Sequence, residues 1–319
     1  MMDENLLQKF NELKSEADEG NDKAMIECAI MLQDGEGCER DPTAAIKYVK
    51  KAIKKGNDEG MRLYGTWLCT GEGIPKDEEK GIRYIKSAAD KGNDEAITDY
   101  ATMLLHGEGV TVDKEEAARL FKKAIEKGNS RAMFEYAIML LYGDGVPADK
   151  DESESLLQKS IEQGNDEAMF EYSVMLKNGE VFPADKEESI RLLKMSAEKG
   201  NAKAMNNYAQ LLLNGDGVPV DTEEAVRMLQ KAADKGNNRA MLNYAKMLMT
   251  GENVPTDVEE ANRLLNIVIE RETNKEMVDY ANTLLKSSYN KKNTNQNNFL
   301  FIIAILIGVG ISYLMNKMK

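Results

Sequence analysis

The sequence predicts an all-α protein: a stack of seven 36-residue helical hairpins closed by half-repeats at both ends, with one transmembrane helix at the C-terminus. Three observations carry this. A Gly-Asn pair recurs at Gly20, Gly56, Gly92, Gly128, Gly164, Gly200 and Gly236, and an Asp recurs at Asp41, Asp77, Asp113, Asp149, Asp185, Asp221 and Asp257, with no insertion between copies. Apolar residues within each copy fall at spacings of three and four. The segment Phe299 to Met315 carries no charge at all. A fixed period in this range is the signature of stacked supersecondary units, none of which buries its apolar face alone.

In the sixth copy, Ala204, Met205, Tyr208, Ala209 and Leu212 share one helical face, and so do Ala225, Met228, Leu229, Ala232 and Ala233. Alternating small and large residues let the two helices of such a hairpin approach closely while still burying area. The spacing of Asp221 and Glu224 predicts a capping box, repeated at Asp113/Glu116, Asp149/Glu152, Asp185/Glu188 and Asp257/Glu260; the second copy has Lys80 at the Glu place, and the first puts Pro42 directly after Asp41. The Gly of Lys-Gly-Asn ends each second helix, and Gly-x-Gly-Val-Pro makes the turn inside each hairpin.

The pattern A-M-x-x-Y-A-x-M-L-x-x-G-x-G-V-P-x-D-x-E-E-A, over roughly Gly20 to Lys286, resembles the Sel-1-like repeat family, short relatives of the tetratricopeptide repeat. The resemblance implies a right-handed α-solenoid whose first helices line a concave face, and adaptor or scaffold roles rather than catalysis. Val181 and Asn253 depart from the pattern at the second turn glycine, and Thr111 at the turn proline.

Taken in order, residues 1–19 form an N-terminal capping helix in which Phe10, Leu13 and Ala17 keep the register of a second helix. Residues 20–286 are the repeats, and Met277, Tyr280, Ala281 and Leu284 make a last first-helix without a partner. Residues 287–298 are a polar linker with a reach of roughly 20 Å. Residues 299–315 are the transmembrane tail anchor, about 25 Å long as a helix, against a hydrocarbon core of about 30 Å. Residues 316–319 are a short basic tail. The opening MMDENLLQKF lacks an apolar h-region, so the expected topology places the repeats in the cytosol on an endoplasmic reticulum or mitochondrion-like outer membrane. Cys28, Cys38 and Cys69 share no metal-ligand spacing and read as free thiols in a reducing compartment.

Catalysis finds no foothold. His106 is the single histidine, so no multi-His metal site or His-based triad can be assembled, and no cofactor motif stands in the chain. Gly107-Glu108-Gly109 follows a helix rather than a strand, and Gly215-Asp216-Gly217 has too few carboxylates for a calcium loop. The net charge of −13 argues against a nucleic-acid surface.

Binding is therefore sought at positions that vary between copies. On each first helix the third, seventh, tenth and fourteenth residues after the repeat Gly form a stripe away from the core: Glu95, Asp99, Thr102 and His106; Arg131, Glu135, Ile138 and Tyr142; Glu167, Glu171, Val174 and Asn178. Phe134 and Phe170 stand beside it. The candidate groove is thus Glu95, Asp99, Phe134, Glu135, Ile138, Tyr142, Phe170, Glu171 and Val174, suited to a partner segment with apolar anchors and basic neighbours, unless both Phe rings pack between repeats as core. In the anchor, Ala304, Gly308 and Ser312 form a small-residue face that would support self-association. The function expected is a membrane-anchored, non-enzymatic interaction scaffold facing the cytosol; the resemblance also implies an alternative, an adaptor in endoplasmic-reticulum-associated degradation with luminal repeats.

Overall fold

The computed structural model describes residues 4–287, and among these every regular element is a helix. The chain divides into two compact units, Met1–Asn165 and Asp166–Lys319. The first holds α1 (Glu4–Glu19), α2 (Asp22–Asp34), α3 (Pro42–Lys54), α4 (Asp58–Thr70), α5 (Glu78–Asp90), α6 (Asp94–His106), α7 (Lys114–Ile125), α8 (Ser130–Tyr142) and α9 (Lys150–Glu162). The second holds α10 (Asp166–Asn178), α11 (Lys186–Lys199), α12 (Ala202–Asn214), α13 (Thr222–Asp234), α14 (Asn238–Thr250), α15 (Val258–Arg271) and α16 (275–287). The linker, the tail anchor with Ala304, Gly308 and Ser312, and the basic tail lie outside the described residues. No described helix is long and apolar enough to cross a membrane.

Small residues set the crossing inside each hairpin. Ala29 and Ala45, Ala101 and Ala117, Ala209 and Ala225, and Ala245 and Ala261 are fully buried at equivalent places. A Cβ at Gly65 would fall 2.7 Å from the Gly81 carbonyl oxygen, so the α4–α5 pair tolerates nothing larger than glycine there. Where serine replaces alanine, its hydroxyl is satisfied across the same crossing: Ser153 Oγ donates to the Ala137 carbonyl and Ser189 Oγ to the Ser173 carbonyl, each at 2.7 Å. Around these pairs Met25, Val49 and Trp67 fill the core of the first repeats, and Met205, Leu229, Met241 and Leu265 that of the second unit. Each such side chain contributes about 1.5–3 kcal/mol by leaving water.

The half-repeats close their units as the spacing predicts. Phe10 and Ala17 of α1 are buried with Leu13 packed beside them, while α16 buries Ala281 and packs Met277 and Leu284 on the same core. Entry into α16 differs from the other first helices. In place of Gly, Glu272 is extended (φ −85°, ψ 134°), and the cap moves one residue on, with Asn274 Oδ1 accepting from the Met277 N–H at 3.2 Å.

The capping box is only half as predicted. Each Asp accepts from the N–H three residues on, at 3.0 Å for Asp113 and Glu116. The Glu does not reach back, because the Asp N–H is already used. It donates to a leucine carbonyl of the first helix in all seven copies, for example Asp113 to Leu104 at 2.9 Å. That bond closes the hairpin turn. The freed Glu116 grips Arg119 with both oxygens, at 2.6 and 2.7 Å, and the pairs Glu188–Arg191 and Glu260–Arg263 do the same.

Turn departures resolve individually. Asn253 keeps the left-handed conformation of the glycine it replaces (φ 66°), which Asn tolerates through its short polar side chain. Val181 does not adopt positive φ; instead the turn buries Phe182 edge-on against Tyr172, with ring centroids 5.3 Å apart.

Candidate partner-binding clefts

Successive repeats are tied by the Asn of Gly-Asn, a role the sequence did not suggest. Asn129 Oδ1 accepts from the Ala132 N–H at 2.9 Å and caps α8, while its Nδ2 donates to Glu95 Oε1 of the preceding first helix at 3.0 Å. Asn57 reaches Asp22, Asn93 reaches Glu59 and Asn201 reaches Glu167 in the same way. Asp22, Glu59, Glu95 and Glu167, acids in the first turns of α2, α4, α6 and α10, therefore hold the next repeat. Part of the acidic stripe is structural.

In the first unit the rest of that stripe is largely neutralised. Arg62 grips Glu59 and reaches Asp99 Oδ2 at 3.2 Å. Burial pulls the Arg62 guanidinium down, but Glu59 and Asp99 outweigh it and keep it charged. Arg131 pairs with the other oxygen of Asp99 and stands 3.9 Å from Glu95. The result is a chain of alternating charge through Glu59, Arg62, Asp99, Arg131 and Glu95, spanning three repeats. No spacing rule within one helix links residues 37 and 32 apart in sequence.

The apolar residues of the candidate groove separate. Phe134 and Phe170 are both buried, 8% exposed, so they are core side chains rather than surface anchors. Phe170 belongs to the core of the second unit, with Lys203 Nζ 5.7 Å from its ring centre. Ile138 and Val174 are half-buried, and Tyr142 is 65% exposed at the end of α8. Glu135 is half-buried. Glu171 is half-buried beside Lys203, and burial lifts its carboxyl above the usual range against the pull of that lysine.

Concavity lies instead between a hairpin and the next first helix. In the first unit a cavity of about 540 Å³ opens among α4, α5 and α6, with α8 at its edge. Ile82, Ile85 and Met103 form an apolar floor, Thr66, Thr70 and Thr102 supply hydroxyls, and Asp99, Glu78, Glu108, Glu135 and Arg131 form the rim. A cavity of about 280 Å³ in the second unit, among α10, α11 and α12, is lined by Val174, Lys177, Lys186, Ile190, Asn207, Leu211 and Asp216 with others. Of the candidate groove residues, Asp99 and Glu135 line the first opening and Val174 the second; Glu78, Glu108, Lys177 and Lys186 line them too and were not singled out for the groove from the sequence. The signal for Glu78, Lys177 and Lys186 was variation at the first position of each second helix and near the end of each first helix; Glu108 stands at a turn position that is acidic in every copy, so variation did not mark it.

Among the described residues no group of three or more His, Cys, Asp or Glu side chains is placed to hold a metal, and His106 is exposed at the end of α6. The three cysteines are free thiols, with burial pushing Cys28 up to about 11.

Stacked helical hairpins whose variable residues line the clefts between repeats define an all-helical solenoid of the short-repeat type. The chain belongs to the Sel1 repeat family: the family model described as Sel1 repeat matches residues 22–57, 58–93, 94–129, 130–165, 166–201, 202–237 and 238–267. A Sel1 repeat protein from Oxalobacter formigenes is 26% identical, with a TM-score of 0.59 over 87% of this chain and 80% of that one. The protein c5321, a protective antigen of uropathogenic Escherichia coli with an SLR fold, is 23% identical with a TM-score of 0.50, over 87% of this chain and 64% of that one. Yeast Tom70 shares the fold at 18% identity and a TM-score of 0.50, over 91% of this chain and 60% of its own. No curated protein gives a match.

Proposed function

We propose that the protein is a membrane-anchored interaction scaffold that holds partner proteins in its inter-repeat clefts. The observation that carries this reading is the cleft of the first unit, lined by the carboxylates of Glu78, Asp99, Glu108 and Glu135 and the Arg131 guanidinium together with the apolar Ile82, Ile85 and Met103. An extended partner segment would place an apolar side chain on that floor and a Lys or Arg against Glu78 and Glu108. Titration calorimetry with a Lys- and Leu-containing peptide tests it. The double variant Glu78→Lys, Glu108→Lys is expected to bind at least ten-fold more weakly at unchanged melting temperature. Equal affinity for both proteins sinks the cleft reading.

The membrane address rests on the uncharged residues 299–315, and the cytosolic orientation on three free thiols and on Lys286, Lys291 and Lys292 before the apolar segment. Fixing the repeats to a surface raises the effective concentration of whatever they hold. Protease added to sealed organelle membranes is expected to digest an N-terminal tag together with the repeats. Protection until detergent is added would reverse the topology and favour the luminal degradation adaptor.

A further inference from the structure

The two clefts occupy corresponding places, 108 residues apart, so their chemistry can be compared position by position. Cys69 becomes Lys177, Glu78 becomes Lys186 and Asp99 becomes Asn207, while the floor stays apolar through Ile82/Ile190, Ile85/Leu193 and Met103/Leu211. The apolar floor is kept between the two openings, a cation stands at two positions where the first cleft has Cys69 and Glu78, a neutral amide replaces Asp99, and the turn acid stays as Glu108 and Asp216.

What the second cleft offers is fixed by neighbouring hydrogen bonds. Asn243 Nδ2 donates to Asn206 Oδ1 at 2.8 Å, and Asn206 Nδ2 donates to Asn207 Oδ1 at 3.1 Å. This amide chain turns the Asn207 carbonyl toward Asn206 and leaves the Asn207 Nδ2 hydrogens as free donors at the cleft. Asp216, the one carboxylate there, is occupied by Lys186 at 2.6 Å. Lys177 is exposed and has no ion pair among the described residues. An unpaired cation and an amide donor beside a carboxylate already paired with Lys186 are complementary to an incoming carboxylate.

We propose that the cleft of α10, α11 and α12 is a second partner-binding site, selective for an acidic segment: one apolar side chain seated over Ile190 and Leu211, and an adjacent Asp or Glu bonded to Lys177 Nζ and Asn207 Nδ2. It rests on the scaffold reading of the inter-repeat clefts but uses none of the residues of the first one. One chain thereby discriminates two classes of segment by charge.

The test is selection of a random linear peptide library displayed on phage against the full chain in lipid nanodiscs, followed by fluorescence anisotropy with the selected peptides. The expected result is a class carrying Asp or Glu beside an apolar residue that loses at least ten-fold affinity for both Lys177→Glu and Asn207→Asp. The latter keeps the side-chain volume and replaces the donor by an acceptor. Glu108→Lys should leave this class unaffected. Absence of an acidic class, or an acidic class indifferent to both variants, overturns the proposal. Failure of basic peptides to respond to Glu108→Lys would instead overturn the reading of the first cleft.

Discussion

Asn129 bonds in two directions at once, capping its own helix through Ala132 and holding Glu95 of the preceding repeat at 3.0 Å. Replacing it by Ala removes a cap worth about 1 kcal/mol and the inter-repeat bond, worth about 1.5–3 kcal/mol for a charged acceptor. Asn129→Asp separates the two roles. Its carboxylate still caps α8 but now faces Glu95 and Asp94 without a donor, so urea unfolding should show a loss that shrinks as the solution is acidified.

Asp113 and Glu116 look equivalent in sequence and are not equivalent in the fold. Asp113→Ala is expected to cost about 1 kcal/mol through the lost cap. Glu116→Ala breaks only a surface pair with Arg119 and should cost a few tenths, up to about 1 kcal/mol. Equal losses in chemical denaturation would restore the reciprocal capping box.

Glycines with the same backbone sign differ in what surrounds them. At Gly128 (φ +86°) a Cβ would meet nothing within 4 Å, so Gly128→Ala should cost about 1–2 kcal/mol for the left-handed conformation alone. At Gly145 (φ +74°) it would fall 2.4 Å from Lys114 Cβ, where the turn of one repeat rests on the second helix of the one before. Gly145→Ala should lower the melting temperature clearly further than Gly128→Ala.

The buried rings and the exposed one make opposite predictions. Phe134→Ala and Phe170→Ala should each lose about 3–5 kcal/mol, measured by denaturant melts. Tyr142→Ala, at a 65% exposed position, should stay within about 0.5 kcal/mol of the parent.

Cys28 provides a pH signature. Its thiol is fully buried, and burial raises it from 9.0 to about 11 in the folded chain. The unfolded chain therefore releases this proton first, so the contribution is intact below pH 9 and declines as pH rises through about 11. The stability difference between the parent and Cys28→Ala should fall over that window; a pH-independent difference would place the thiol in contact with water.

Within one repeat, much was legible from sequence. The close crossing of Ala209 and Ala225 follows from helical spacing of three and four, and the αL stop at Gly56 from glycine before Asn. What failed was any inference about a group with two possible partners. Glu116 satisfies the spacing rule for a capping box, but the rule does not know that Leu104 has taken the Asp113 N–H.

By itself, then, the sequence determined the period, the hairpins, the turn glycines and the two half-repeat ends, because each depends on contacts within a few residues or on strict repetition of them. Only the tertiary structure decided that Phe134 and Phe170 are core, that Arg62 and Arg131 neutralise Asp99, and that Asn207 presents donors to a cleft. Those outcomes depend on side chains one or more repeats away, brought together by stacking. A periodic pattern specifies that repeats stack, and the charge of each cleft is settled by the particular residues that stacking brings face to face.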